Sequence, residues 1–479
     1  MEILYIIGAL FFILIIIILI RTIRFKPPKE SIVTPKTINV PLEEAVLSLS
    51  EMVKCKTISY KNKKLEDEKA FLKFEEVLAK LFPNVYKTCI YEKLSKRSLL
   101  FRWPGKTSSK TPTVLMSHYD VVPAKDELWS EDPFSGIVKD GYLWGRGTLD
   151  TKGTLNGILV AAETLIKEGF IPQDDIYFAF AGDEEIAGTG ASIIVDYFEE
   201  EGLRPSLVVD EGGAIASNVF PGVKGSCALI GIAEKGMLEA ELRIESSGGH
   251  ASAPPKHTIV GELAKACVTL ENSPLPRNIA TPTKLMFDTL GRHSSFIYRM
   301  IFANMWLFAG LLDKMAQKKG GQLNALFRTT VAFTQMQASD ANNVIPPVAS
   351  LGINSRIMSG EDSTSVLTYF KKKIKNNRIK IIDNQSHNPS RVSLVDSESY
   401  EKVKRVIKST WNNVITTPYL MFACSDSRHY GKISPYVYRF SPITLSNAEM
   451  DTIHGNNEKI SLEGIKKIVE FYMRLIEQC

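Results

Sequence analysis

What the chain has little of narrows its function first. Its six cysteines (Cys55, Cys89, Cys227, Cys267, Cys424 and Cys479) are scattered through 479 residues without one Cys-x-x-Cys pair. That spacing gives neither a disulfide framework nor a thiolate metal knuckle, so they read as ordinary thiols. The phosphate-cradling pattern Gly-x-x-x-x-Gly-Lys-Ser/Thr is absent, which removes a P-loop nucleotide site. No internal repeat and no low-complexity tract occurs. Charge of one sign is scarce as well: the net value is +5, and residues 1–36, with five basic and two acidic side chains, hold +3 of it. The remaining +2 makes no basic surface of the kind nucleic acid requires. With 44% hydrophobic and 23% charged residues, the rest is globular, and its length exceeds one typical core, so two domains are expected.

One long apolar run is present. Ile3 to Ile20 contains a single glycine and no charge, and Arg21, Arg24, Lys26 and Lys29 follow it. Eighteen such residues reach the lower limit for crossing a bilayer. A cleaved signal peptide would want a basic start and a small-residue cleavage site. Only Glu2 precedes the run, however, and no Ala-x-Ala follows it. Residues 1–21 therefore read as a single-pass membrane anchor and residues 22–40, with Pro27-Pro28 and Pro41 at its edges, as a linker.

From about Pro41 to Gly231, strand-like apolar runs alternate with helical patterns. In the best helix, Thr154 to Lys167, Leu155, Ile158, Leu159, Ala162, Leu165 and Ile166 fall on one face. That alternation implies an α/β fold with a mostly parallel sheet covered on both faces. After Ala233 the texture changes. Glu239 to Glu245 alternates polar and apolar, a helix follows at Val260 to Leu270, strands at Thr329–Phe333 and Ala349–Ile357, and a helix near Ser363 to Lys375. Two helices on an antiparallel sheet account for this stretch. The expected organisation is a catalytic domain in two parts, 41–232 and 385–479, with an inserted α+β domain at 233–384.

Five metal-type side chains lie along the chain: His118, Asp150, Glu185, Asp210 and His454. Pro112-Thr113-Val114-Leu115-Met116-Ser117-His118-Tyr119-Asp120 ends an apolar run in His-x-Asp. Ile176 to Ala181 leads into Asp183-Glu184-Glu185, and Leu207-Val208-Val209 into Asp210-Glu211-Gly212-Gly213. Open α/β sheets bind ligands beyond the carboxyl ends of their strands, so these groups converge in space. Two imidazoles and three carboxylates suit a borderline-hard divalent ion such as Zn²⁺. Five ligands exceed one four-coordinate site with an open position but fit two metals that share a carboxylate. That points to a hydrolase. His118 and Asp120, two apart, share a strand face, so the carboxylate can accept the imidazole N–H. Asp150 sits in a glycine-rich turn before a helix, where it would equally serve as an N-cap. Of the adjacent Glu184 and Glu185, one can ligate while the other meets the metal-bound water.

Together these segments resemble the dizinc aminoacylase and carboxypeptidase family, and most of all its carboxypeptidase S and N-fatty-acyl-amino-acid synthase/hydrolase branch. The resemblance rests on Ser117-His118-Tyr119-Asp120, Gly145-Arg146-Gly147-Thr148-Leu149-Asp150, Asp183-Glu184-Glu185, Val209-Asp210-Glu211-Gly212-Gly213 and His454-Gly455-x-Asn457-Glu458. Ser247-Gly248-Gly249-His250-Ala251-Ser252-Ala253-Pro254-Pro255 and Asn343-Val344-Ile345-Pro346-Pro347 extend it. It implies that Asp150 bridges two Zn²⁺ ions, with His118 and Asp210 on one and Glu185 and His454 on the other. Glu184 is then the general base and Asp120 orients His118. His250 is implied as a lid histidine that donates to the oxyanion, arriving from the partner subunit in dimeric relatives, so a homodimer is possible. Arg356 and Asn343 match residues that hold the substrate carboxylate. Thr151 stands where the family commonly has Asp or Met, and the Asp150–Thr151 peptide bond is expected to be cis.

The implied activity is cleavage of an N-acyl amino acid or a C-terminal peptide bond to release a free amino acid, or its reversal as fatty-acyl condensation. A silent binding protein on the same fold would have lost Glu184 or a ligand, and all are present. The apolar stretch Phe296 to Met315 offers two readings, the lining of an acyl-chain pocket or the core of the inserted domain. The side of the membrane is left open. The basic flank after Ile20 puts the enzyme in the cytoplasm, whereas the family's relatives face a lumen or the exterior.

Overall fold

A computed structural model describes residues 1–28, 36–217, 219–220 and 222–479. Residues 29–35 of the expected linker therefore lie outside the described residues. The main sheet has eight strands. Their order is Ile90–Ser95, Ser98–Trp103, Ile176–Ala181, Thr113–His118, Leu207–Ser217, Val437–Leu445, Ser226–Glu234 and Ile415–Met421. It is mixed rather than mostly parallel. The strands at Ile176, Thr113, Leu207 and Val437 run parallel to one another, as do Ser226–Glu234 and Ile415–Met421. The remaining three neighbouring pairs are antiparallel. A short connection accounts for the first of these pairs. Two residues join Ser95 to Ser98, and a parallel pair needs a crossover of a dozen or more.

The strands Thr113–His118 and Ile176–Ala181 are buried along their whole length, as strands covered on both faces must be. The helix Lys152–Lys167 lies on one face beside Leu462–Ile476, and Gly190–Glu200 packs on the other.

The chain changes sheets at Lys235. A four-stranded antiparallel sheet then runs in the order Thr330–Gln337, Val348–Ile357, Gly236–Glu245 and Lys380–His387. The helices Ile259–Glu271 and Ser363–Ile374 cover it, with Leu263, Leu270, Val366 and Phe370 against Leu238, Leu242, Leu351 and Ile353. Between these elements lies a helical block, Thr281–His293, Phe296–Ala303, Met305–Lys319 and Gly321–Ala325. It has a separate core, in which Met286, Phe287, Leu290 and Phe302 meet Cys227, Ile415 and Tyr419 of the main sheet. The N-terminal helix, Glu2–Arg24, is long and apolar enough to cross a membrane and is a candidate span or signal sequence.

Candidate metal centre

The site forms where the parallel strands end. His118 is the last residue of its strand and is buried. Its Nδ1 lies 3.0 Å from the backbone carbonyl of Asp120. A carbonyl can only accept, so Nδ1 carries a proton, and in the neutral imidazole that a metal would bind, Nε2 would offer its lone pair to the site. The expected partner was the Asp120 carboxylate, which stands farther off, at 3.4 Å. Its oxygens instead accept from Ser59 Oγ (2.6 Å), Glu184 N (3.1 Å) and Glu185 N (3.2 Å). Asp120 thus fixes the turn that carries both glutamates as well as the imidazole.

Asp150 occupies the centre. Its Oδ1 is 3.0 Å from His118 Nε2 and its Oδ2 is 3.0 Å from His454 Nε2. One carboxylate therefore offers one oxygen toward each imidazole. The Asp150–Thr151 peptide bond is cis. Glu185 Oε2 lies 3.0 Å from His454 Nε2, while its Oε1 is buried without a hydrogen-bond partner among the described residues. His454 arrives from a loop with a positive φ of 59° and stays half exposed.

The loop bearing Asp150 is held from the far end of the chain. Glu458 is fully buried; its Oε1 accepts from Gly147 N, Leu149 N and Asp150 N at 3.1, 2.8 and 3.3 Å, and its Oε2 pairs with Arg146 at 2.7 Å. Gly147 has φ +88°, and a Cβ there would stand 2.7 Å from Val121, so only glycine lets the loop close on that carboxylate. This explains the chemistry of His454-Gly455-x-Asn457-Glu458: one residue faces the site and another locks the loop opposite.

Asp210 and its neighbour Glu211 are placed differently. Asp210 is buried, but its Oδ2 accepts from Ser427 N at 2.9 Å and does not join the cluster. Glu211 does: its Oε1 is 3.3 Å from His118 Nε2. Glu211 lies where the ladder with Val437–Leu445 is interrupted, and it is Glu211 rather than Asp210 that meets His118. Glu184, Glu211 and His118 bring their ligand-type atoms within 4.8 Å of one another, as do His118, Asp150 and Glu185. Sequence reasoning also missed Asp426, a buried carboxylate whose Oδ2 has no partner among the described residues. It belongs to a turn (Ser425 to Ser427) tied to Glu234, which in turn pairs with the buried Arg439.

The electrostatics are those of crowded anions. Burial raises the pKa of Glu184 well above its ordinary value, with Asp426, Glu211 and Glu185 adding to the effect against His118. Burial likewise pushes Glu211 and Asp426 up to about 8. Burial opposes a charge on His118, but Glu211, Asp120 and Asp150 outweigh it and raise its pKa. Hydrogen bonds to Asp150 and Glu185 raise His454 to about 10. Burial would raise Asp150 too, yet the two imidazoles hold it well below the carboxylate range. Four carboxylates (Asp150, Glu184, Glu185 and Glu211) around two imidazoles form a donor set that bound cations would neutralise, and an all-oxygen and nitrogen set fits divalent metal.

The remaining expected residues stand apart. Arg356 lies on Val348–Ile357 and directs Nη1 at Cys424 Sγ, 3.4 Å away. Burial pushes that thiol's pKa to about 11, and Cys424 stands two residues before the buried Asp426, so Arg356 borders the site through Cys424. His250 is exposed on the short ladder Gly249–His250/Val344–Ile345, with its Nδ1 2.7 Å from Ser252 Oγ, and Asn343 is exposed in the turn just before that ladder. The structure places neither among the clustered carboxylates.

Residues 114–478 match the family described as Peptidase family M20/M25/M40. Over 97% of the chain and 92% of the relative, 37% of residues are identical to a probable carboxypeptidase S-like 2 of Dictyostelium discoideum. The N-fatty-acyl-amino acid synthase/hydrolase PM20D1 of Xenopus tropicalis is 35% identical over the same shares. Among solved structures, an M20 family metallo-carboxypeptidase of Sulfolobus solfataricus superposes with a TM-score of 0.64 at 18% identity. It covers 91% of this chain and 99% of that one, a likeness of fold.

Proposed function

The chain belongs to peptidase family M20/M25/M40 and is an enzyme of the metallocarboxypeptidase or aminoacylase type, and from that premise we propose a membrane-anchored, dizinc amidohydrolase. It releases a free amino acid from an N-acyl amino acid or a short peptide. The observation that carries the two-metal reading is Asp150, with one oxygen 3.0 Å from each of two imidazoles. One metal would be held by His118, Asp150 and Glu211, the other by Asp150, Glu185 and His454. When bound, such ions polarise the scissile carbonyl and acidify water.

The chain's own groups do the rest. Glu184 takes the proton from water and passes it to the leaving amine. Burial among other acids raises its proton affinity, which suits that exchange. Arg356 grips the substrate carboxylate with its planar fork. The second sheet and its helices act as a lid or dimerisation domain. His250 and Asn343, exposed on that unit, reach the reacting amide only after closure or from a second copy. Likeness to both carboxypeptidase S-like and synthase/hydrolase relatives supports acyl amino acids as substrates, and with a fatty acyl group the same site also runs condensation.

Hydrolysis of N-acetyl, N-succinyl, N-oleoyl and dipeptide substrates with added Zn²⁺ tests the proposal, and no release of amino acid from any of them would refute it. Glu211→Gln should lower metal content below two per chain, whereas Asp210→Asn should retain both ions. Elemental analysis showing the opposite pattern would restore Asp210 as the ligand. Arg356→Lys should weaken turnover of free-carboxylate substrates far more than of their amides, because lysine keeps the charge and loses the fork. Equal losses on both would remove Arg356 from carboxylate binding.

A further inference from the structure

The stretch Phe296 to Met315 buries one side and leaves the other open. It forms an elbow, Phe296–Ala303 and Met305–Lys319, bent by 108° at Asn304. Its inner side (Phe302, Ala316, with Met305 and Leu312) packs on the helical block. Its outer side leaves Phe296, Ile297, Trp306, Leu307, Leu311 and Met315 in the open, with Ile297 66%, Trp306 58% and Leu311 55% exposed. Six large apolar side chains exposed on one elbow mark an interaction site.

The N-terminal helix is clasped to the same elbow. Leu14, Ile18, Thr22 and Phe25 are its less exposed positions, a stripe at helical spacing. Arg21 Nε and Nη2 donate to Ala303 O at 3.1 and 2.9 Å, and Asn304 Nδ2 donates to Ile18 O and Thr22 Oγ1 at 3.4 Å each. Phe25 lies in the block's core under the Arg292 guanidinium, and Arg292 donates to Lys26 O. The elbow therefore has a fixed height along that helix, at residues 18–22.

Length then sets the height of the membrane. The apolar run Ile3–Ile20 is about 27 Å long at 1.5 Å per residue, slightly less than the roughly 30 Å of hydrocarbon. Ile18 to Ile20 must stay in the hydrocarbon, and they meet the elbow's corner there. Charge complements this. Arg21, Arg24 and Lys26 on one side and Lys314, Lys318 and Lys319 on the other rim the face, while Asp313, the elbow's one acid, is paired with Arg328. Basic side chains beside an apolar face with Trp306 and Tyr298 are the pattern of a helix lying in an anionic interface.

We propose that the elbow Phe296–Lys319 is a bilayer-docking shoulder. Its apolar face sinks into the headgroup boundary of an anionic phospholipid surface and holds the catalytic unit at a set orientation on the membrane. The elbow's core reaches Phe422, two residues from Cys424 and so close to Arg356. The shoulder thus joins the bilayer to the site's border, as a substrate with a lipid-soluble acyl chain and a charged head requires.

The proposal rests on the N-terminal helix being a bilayer span, and one experiment separates the two. The full chain is reconstituted in phosphatidylcholine vesicles containing phosphatidylserine, floated, and its tryptophan emission quenched by bromolipid or by aqueous iodide, with Trp306→Phe isolating Trp306. Flotation with Trp306 emission quenched by bromolipid and not by iodide is the expected result. The exposed-site double variant Ile297→Asp/Leu311→Asp should still float while its Trp306 becomes quenched by iodide. Flotation with Trp306 quenched by iodide in the unaltered chain overturns the shoulder and leaves the anchor. Protection from both quenchers with a doubled mass in detergent overturns it in favour of a second copy covering the face. Failure to float removes the anchor and the shoulder together.

Discussion

Glu184→Gln should keep both metals and lower kcat by about 10²–10⁴, the range for a positioned proton shuttle. Several features make this change clean. The turn Glu184–Ile186 is held by backbone N–H groups donating to Asp120, which the substitution leaves in place. Glutamine matches the shape of glutamate, so the neighbours Glu211 and Glu185 need not move. What is lost is the group that takes and returns a proton. Amino-acid release measured beside elemental analysis distinguishes this from metal loss. Turnover like that of the unaltered enzyme, with two metals bound, would show that another group moves the proton. Asp426, buried nearby with its pKa pushed to about 8, would then be the first candidate.

Asp150→Ala should remove metal from both positions at once and abolish amino-acid release. The side chain meets two imidazoles, one through each oxygen, and each proposed triad of ligands needs one of those oxygens. Its loop stays folded by another route, because Glu458 accepts the backbone N–H groups of Gly147, Leu149 and Asp150 whatever side chain position 150 carries. A cooperative unfolding transition with less than one metal per chain is therefore expected. Two metals per chain in this variant would contradict the bridging role.

Much of the site was legible because it obeys the rule of strand ends. Thr113–His118 and Ile176–Ala181 are continuous apolar runs ending in ligand-type residues, and the fold brings those ends together. The choice between Asp210 and Glu211 was not legible, because alternation says only that the two face opposite ways. Ser427 N, 217 positions along the chain, captures Asp210 and leaves Glu211 to the site. Asp426 escaped for a related reason: four residues separate it from the end of Ile415–Met421, so no pattern joins the strand to the acid. The sheet's mixed sense depends on which strands pair, which periodicity does not report. Lys380–His387 is an edge strand with mostly exposed side chains, so its sequence shows no apolar alternation to read. The stretch Phe296 to Met315 misled in another way. Its apolar residues signal burial, and the protein itself buries only one side of them.

The central claim is two metals sharing Asp150. Diffraction from crystals grown with Zn²⁺, with anomalous differences measured on both sides of the zinc absorption edge, tests it most directly. The account predicts two zinc peaks per chain flanking the Asp150 carboxylate, one beside His118 and Glu211 and one beside Glu185 and His454. A single peak at full zinc loading, or a second one away from Asp150, would contradict it.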